Sequence, residues 1–145
     1  MKILKTIAIL TCAMTTVALA HEGVKDPTVM ARMHLMKEIG AATKIVGDMA
    51  KGATDFDAQT ARAAAEDLER HAAEIAAAFE DPADDPKSEA LPAIWTDFAD
   101  FTEIAEEMRR ASQIEADDLV SEADLKRILI AIGRTCTDCH ELYRE

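Results

Sequence analysis

Apolar residues recur at three- and four-residue spacing in four stretches of the chain, and no stretch shows the sustained alternation of a half-buried strand. The first opens with Asp26-Pro27, an N-cap followed by proline at the first helical position. It runs through Val29, Met30, Met33, Met36, Ile39, Ile45, Val46 and Met49 and stops near Gly52, a residue type that ends helices. The second starts after Asp57 and carries Ala64, Leu68, Ile75 and Phe79 in one stripe, closed by the solvated loop Glu80-Asp81-Pro82-Ala83-Asp84-Asp85-Pro86. The third starts near Pro92 and runs through Ile94, Trp95, Phe98, Phe101, Ile104 and Met108 to about Ile114. The fourth opens with Ser121-Glu122-Ala123-Asp124, a capping box with Asp in the Glu/Gln position. Its stripe is Leu125, Ile128, Leu129, Ile132, Cys136, Cys139, His140 and Tyr143. Four amphipathic segments with short links predict an all-α protein, an antiparallel four-helix bundle.

Composition sharpens this picture at the N-terminus. Lys2 and Lys5 precede the apolar run Ile7 to Leu10, and Ala18-Leu19-Ala20 has the form of an export cleavage site. The segment is too short and mixed for a spanning helix. Lipidation at Cys12 fits poorly, because so little apolar chain precedes it. Residues 1–20 therefore read as a cleaved signal peptide, residues 21–145 as one bundle domain, and the periplasm as the destination. Export removes two lysines and no acid, which leaves 14 basic against 28 acidic residues. Such acidity disfavours nucleic acid and anionic lipid, and suits partner proteins with basic docking surfaces or plain solubility.

The candidate chemistry lies in Cys136-Thr137-Asp138-Cys139-His140. Cys-x-x-Cys-His is the attachment signature of c-type haem. On a helix, positions three and four apart share a face, so both thiols can reach the vinyl groups of one porphyrin while His140 turns toward the iron. A redox disulfide would want a βαβ context, and structural zinc would want four ligands. The mature chain has only these two cysteines, with its other histidines scattered at His21, His34 and His71. Covalent haem c is the expectation.

These residues, with Glu141-Leu142-Tyr143-Arg144 after them, Pro92-Ala93-Ile94-Trp95, Lys51-Gly52 and Gly133, resemble the class II cytochromes c, which include the cytochromes c′. The likeness spans nearly all of residues 26–145. It implies a periplasmic four-helix bundle with one haem near the C-terminus, in a family whose members often form homodimers through their first two helices. The run Arg32-Met33-His34-Leu35-Met36-Lys37 is similar to the low-spin c-556 branch, which implies Met36 as sixth iron ligand opposite His140. Met33 lies on nearly the same helical face, and periodicity does not separate the two; packing is the plain account of any methionine here.

The resemblance also implies that Arg32 lies near a haem propionate and Arg144 near the proximal side. A solvated flank for Arg32 and a helix-dipole partner for Arg144 are the plainer readings. Trp95 and Phe98 are expected either to wall the ring or to pack the bundle. His34 points away from Met36, and His71 reads as a core-edge histidine. The carboxylates fall on polar faces without a catalytic constellation. The expected function is electron transfer through a low-spin haem with His140 and Met36 as ligands, not catalysis. Its rival, with an open sixth position, is binding or scavenging of nitric oxide or carbon monoxide.

Overall fold

A computed structural model describes residues 23–113 and 121–145. Helix α1 spans Pro27–Ala50, α2 Ala58–Ala78, α3 Ala93–Thr96, α4 Phe98–Ser112 and α5 Glu122–Tyr143. The signal-peptide reading of residues 1–20, His21 and the expected helix end at Ile114 lie outside the described residues.

The predicted starts and stops are built from local chemistry. The Asp26 side chain accepts from the Thr28 and Val29 amides at 2.8 and 3.0 Å, with Pro27 directly after it. The α1 terminus closes with Gly52 donating to the Met49 carbonyl at 3.0 Å and Ala53 to Asp48 at 2.8 Å. That paired closure needs a left-handed residue at Gly52, whose φ of +70° a side chain would strain. Asp57 caps α2 through the Thr60 amide at 2.7 Å. At α5, Ser121 accepts weakly from the Asp124 amide and its hydroxyl donates to the Asp124 carboxylate at 2.6 Å. The shorter Asp thus closes the cap on the serine side chain.

The third predicted helix is corrected to two. A break at Asp97 (φ −131°, ψ 40°) separates the single turn α3 from α4. Aspartate competes with the helix for its own backbone bonds, and the stripe from Ile94 to Met108 runs across the break without marking it.

Helices α1, α2, α4 and α5 pack as a ring, each against its two neighbours, so the core is one cluster down the middle. Val46, Leu68, Leu125 and Ile132 are fully buried; each such side chain contributes about 1.5–3 kcal/mol. Alanines 61, 64, 65 and 72 line the buried face of α2 and let it sit close. At one end Phe101 packs on Phe79 at 5.2 Å and edge-on to Tyr143 at 5.3 Å. The Tyr143 hydroxyl donates to Asp100 at 2.7 Å. The chain end is clamped back to the loop before α3, with Leu91 donating to the Tyr143 carbonyl and Glu145 to Glu89, both at 2.9 Å.

Asp85 ties that loop to the start of α1. Its buried carboxylate accepts from the amides of Lys25 (2.8 Å), Asp26 (3.1 Å) and Lys87 (2.9 Å). The Lys25 amide first, then those of Lys87 and Asp26, hold its pKa below the ordinary carboxylate value. A depressed carboxyl contributes stability above its unfolded pKa and loses it as pH falls through the folded one. Asp85→Asn should therefore unfold at lower urea than wild type at pH 7, and the gap should close as pH is taken below 4, roughly the unfolded Asp value. A gap that stays constant with pH would refute the charged clamp.

Candidate functional site

Between α1, α4, α5 and the 87–90 segment lies an open-mouthed cavity of about 580 Å³. Its walls are mainly apolar, from Ile39 on α1 through Phe101, Ile104 and Met108 on α4. The size is in the range of sites that hold organic cofactors.

The C-terminal turns of α5 bring Cys136, Cys139 and His140 to this wall together, as their spacing predicts. Both cysteines are half-buried and free. Burial raises both thiols, and with the added effect of Cys136 pushes Cys139 up to about 11. Both sulfurs are thus held as neutral thiols, away from the thiolate form that attacks in disulfide exchange. Burial, and then the Arg144 charge, lower the His140 imidazole below its ordinary value, against a smaller effect of Glu89. A neutral ring nitrogen is what a metal ligand needs.

On α1, Met33 and Met36 both line the cavity and both are half-buried, so the structure keeps the two thioethers as close neighbours there. Met108, buried on α4, is a third methionine at the wall. His34 is exposed beside Glu38 at 3.6 Å. His71 is half-buried beside Glu74 and is not among the cavity residues.

Of the two accounts of Trp95 and Phe98, both residues follow the packing one: neither lines the cavity, and both pack against the core. The Trp95 Nε1 donates to the Phe79 carbonyl at 2.8 Å, and Phe79 and Phe101 take the wall positions. The break at Asp97 separates Trp95 from the helix that carries Phe101. Arg32 does line the cavity, yet it is 3 % exposed and far from a solvated flank. Its Nε donates to the Ala78 carbonyl at 2.9 Å, one terminal nitrogen to Ala83 at 3.0 Å and the other to Asp81. The guanidinium carbon lies 4.9 Å from the Phe79 ring centre and 5.2 Å from that of Trp95. Burial lowers its pKa, opposed by Asp81 and Asp26.

Arg144 stands at the mouth, and its Nε donates to Glu89 at 2.6 Å, on the segment that the chain end clamps. Lys37 and Lys87 are exposed at the same mouth. Sequence periodicity missed the loop residues 87–90, which belong to no helix, and Thr135, buried one position before the first cysteine. Only proximity to the C-terminal clamp marks that loop, and nothing in the spacing records the clamp.

The donor set suits haem. Two neutral thiols and a neutral imidazole sit at one wall of an apolar cavity, with thioethers on α1 and cations at the mouth for the porphyrin carboxylates. The described helices include none long and apolar enough to cross a membrane.

Comparison with known proteins agrees. Residues 27–144 match the family model described as Cytochrome C′. Cytochrome c-556 of Agrobacterium tumefaciens (strain apple 185) is 34 % identical over 118 residues, 79 % of this chain and 91 % of that protein. An NMR-validated structural model of oxidised Rhodopseudomonas palustris cytochrome c556 superposes with a TM-score of 0.74 at 25 % identity, over 83 % of this chain and 98 % of that one. Cytochrome c′ from the same organism gives 0.75 at 25 % identity with the same coverage. The chain therefore belongs to the cytochrome c′ family of class II cytochromes c, electron-transfer proteins that carry one covalently attached haem c.

Proposed function

We propose that this protein is a periplasmic electron carrier whose haem is held by Cys136 and Cys139 and ligated by His140 and Met36. The supporting observation is that these four residues, on two different helices, converge on one apolar cavity. The bound group supplies a one-electron Fe(III)/Fe(II) couple. The chain supplies the rest. Cys136 and Cys139 would each add S–H across one porphyrin vinyl group, sulfur to one carbon and hydrogen to the other, and so would fix the ring in the bundle. His140 offers a neutral nitrogen, and Met36 a soft thioether that favours the reduced state and raises the potential. Phe79, Phe101, Ile104 and Met108 keep water from the site, which limits reorganisation on electron transfer. Residues 1–20 direct export, and the acidic balance of the rest suits redox partners with basic docking faces.

The second reading, a five-coordinate haem that binds nitric oxide or carbon monoxide, draws support from the likeness to cytochrome c′. The two part on one experiment. A carrier should titrate reversibly as a one-electron couple, stay low-spin in both states and take up carbon monoxide slowly. Rapid, stoichiometric uptake by the ferrous protein would favour the gas-binding reading.

A further inference from the structure

Arg32 is a buried cation with no ion-pair partner among the described residues; Asp81 and Asp26 act on it only from a distance. Burying a charge is expensive unless its surroundings replace water. Here three carbonyls and two aromatic faces do so, those of Ala78, Asp81 and Ala83 and of Phe79 and Trp95. A neutral amide could pin the same loop at lower cost. The arginine instead brings a full positive charge to the wall of the cavity that the redox group fills.

We propose that Arg32 is a positioning charge for electron transfer, a loop-held guanidinium whose field at the cavity wall stabilises the reduced over the oxidised haem. The inference rests on the electron-carrier reading. The electron comes from the redox partner, no bond forms or breaks, and the site loses one positive charge on reduction. A fixed cation nearby favours the state with less positive charge. A unit charge about 10 Å from a redox centre, at an effective dielectric of about 20, shifts such an equilibrium by roughly tenfold. The cradle also resists relaxation: the loop carbonyls are fixed by the backbone, and the Phe79 carbonyl holds Trp95 in place through its Nε1 at 2.8 Å.

The test compares Arg32→Gln and Arg32→Lys in the holoprotein by spectroelectrochemical titration, with thermal melts of each redox state. Arg32→Gln should move the oxidised-to-reduced ratio at fixed potential roughly tenfold toward the oxidised form, which is 59 mV for one electron. Arg32→Lys keeps the charge and should stay within about threefold of wild type, although it loses carbonyl bonds. Both should melt earlier, but only Arg32→Gln should narrow the gap between the melting temperatures of the reduced and oxidised forms. Ala83→Glu leaves Arg32 and every cavity residue in place while adding a carboxylate to a residue whose backbone carbonyl accepts from the guanidinium. It should shift the ratio in the same direction by about threefold, and it decides the matter if the Arg32 variants do not fold. An unchanged ratio in Arg32→Gln, equal shifts in Gln and Lys, or no shift in Ala83→Glu would overturn the assignment. Absence of any one-electron wave in wild type would instead refute the carrier reading itself.

Discussion

Met36→Leu is expected to convert the haem from a low-spin, six-coordinate centre to a high-spin, five-coordinate one that takes up carbon monoxide rapidly. Leucine and methionine are close in volume, so the half-buried site should repack at a cost under ~1.5 kcal/mol. The spectral change should therefore arise with the fold intact. The potential should fall with loss of the thioether, because the soft sulfur stabilises the reduced iron. Met33→Leu is the control, since Met33 lines the same wall one turn earlier and should leave the spin state unchanged. Met108→Leu probes the third methionine at the cavity with the same expected null. If the Met33 change opens the site and the Met36 change does not, the ligand assignment moves by one turn of α1. Optical and magnetic resonance spectra of the three variants read this out directly.

Replacing both Cys136 and Cys139 by serine should abolish covalent attachment and, with it, the cooperative fold. Acid–acetone should then extract all haem, whereas wild type should retain it at a mass of residues 21–145 plus one haem. The energetic argument is the cavity. At ~24 cal/mol per Å³, a void of about 580 Å³ would cost up to about 14 kcal/mol, an upper bound because water enters its mouth. That rivals the whole stability of a small domain, about 5–15 kcal/mol. The apo chain should relax to a loosely packed state that retains helical circular dichroism but loses its sharp melting transition. A cooperative apo transition at the holo temperature would contradict this. The two single variants should fall between, each with one thioether left to hold the ring.

Much of this was legible in the sequence, and the exceptions share a cause. The caps at Asp26, Asp57 and Ser121 and the stop at Gly52 are local devices, made by residues within a few positions of one another, and the chain spells them out. Cys136, Cys139 and His140 share a wall because the helix period alone puts them there. Features that depend on distant segments were hidden. The break at Asp97 interrupts an unbroken apolar stripe, and the clamp of Glu89 and Leu91 on the chain end spans more than fifty residues. Arg32 is the clearest case. Its carbonyl partners lie 46 to 51 residues away, so its place one turn before Met36 disclosed neither its burial nor its aromatic cradle. The choice between wall and packing for Trp95 was hidden for the same reason, since its partner is the distant Phe79 carbonyl at the end of α2.

The central claim, His140 and Met36 on one iron in an electron carrier, meets its most direct test in the near-infrared spectrum of ferric wild-type protein. A weak sulfur-to-iron charge-transfer band at the red edge of the visible and into the near infrared, with low-spin absorption in the visible, is the predicted result, because a thioether bound to ferric iron adds a transition that two nitrogen ligands do not supply. A high-spin ferric spectrum with no such band would contradict the claim and assign the protein to gas binding.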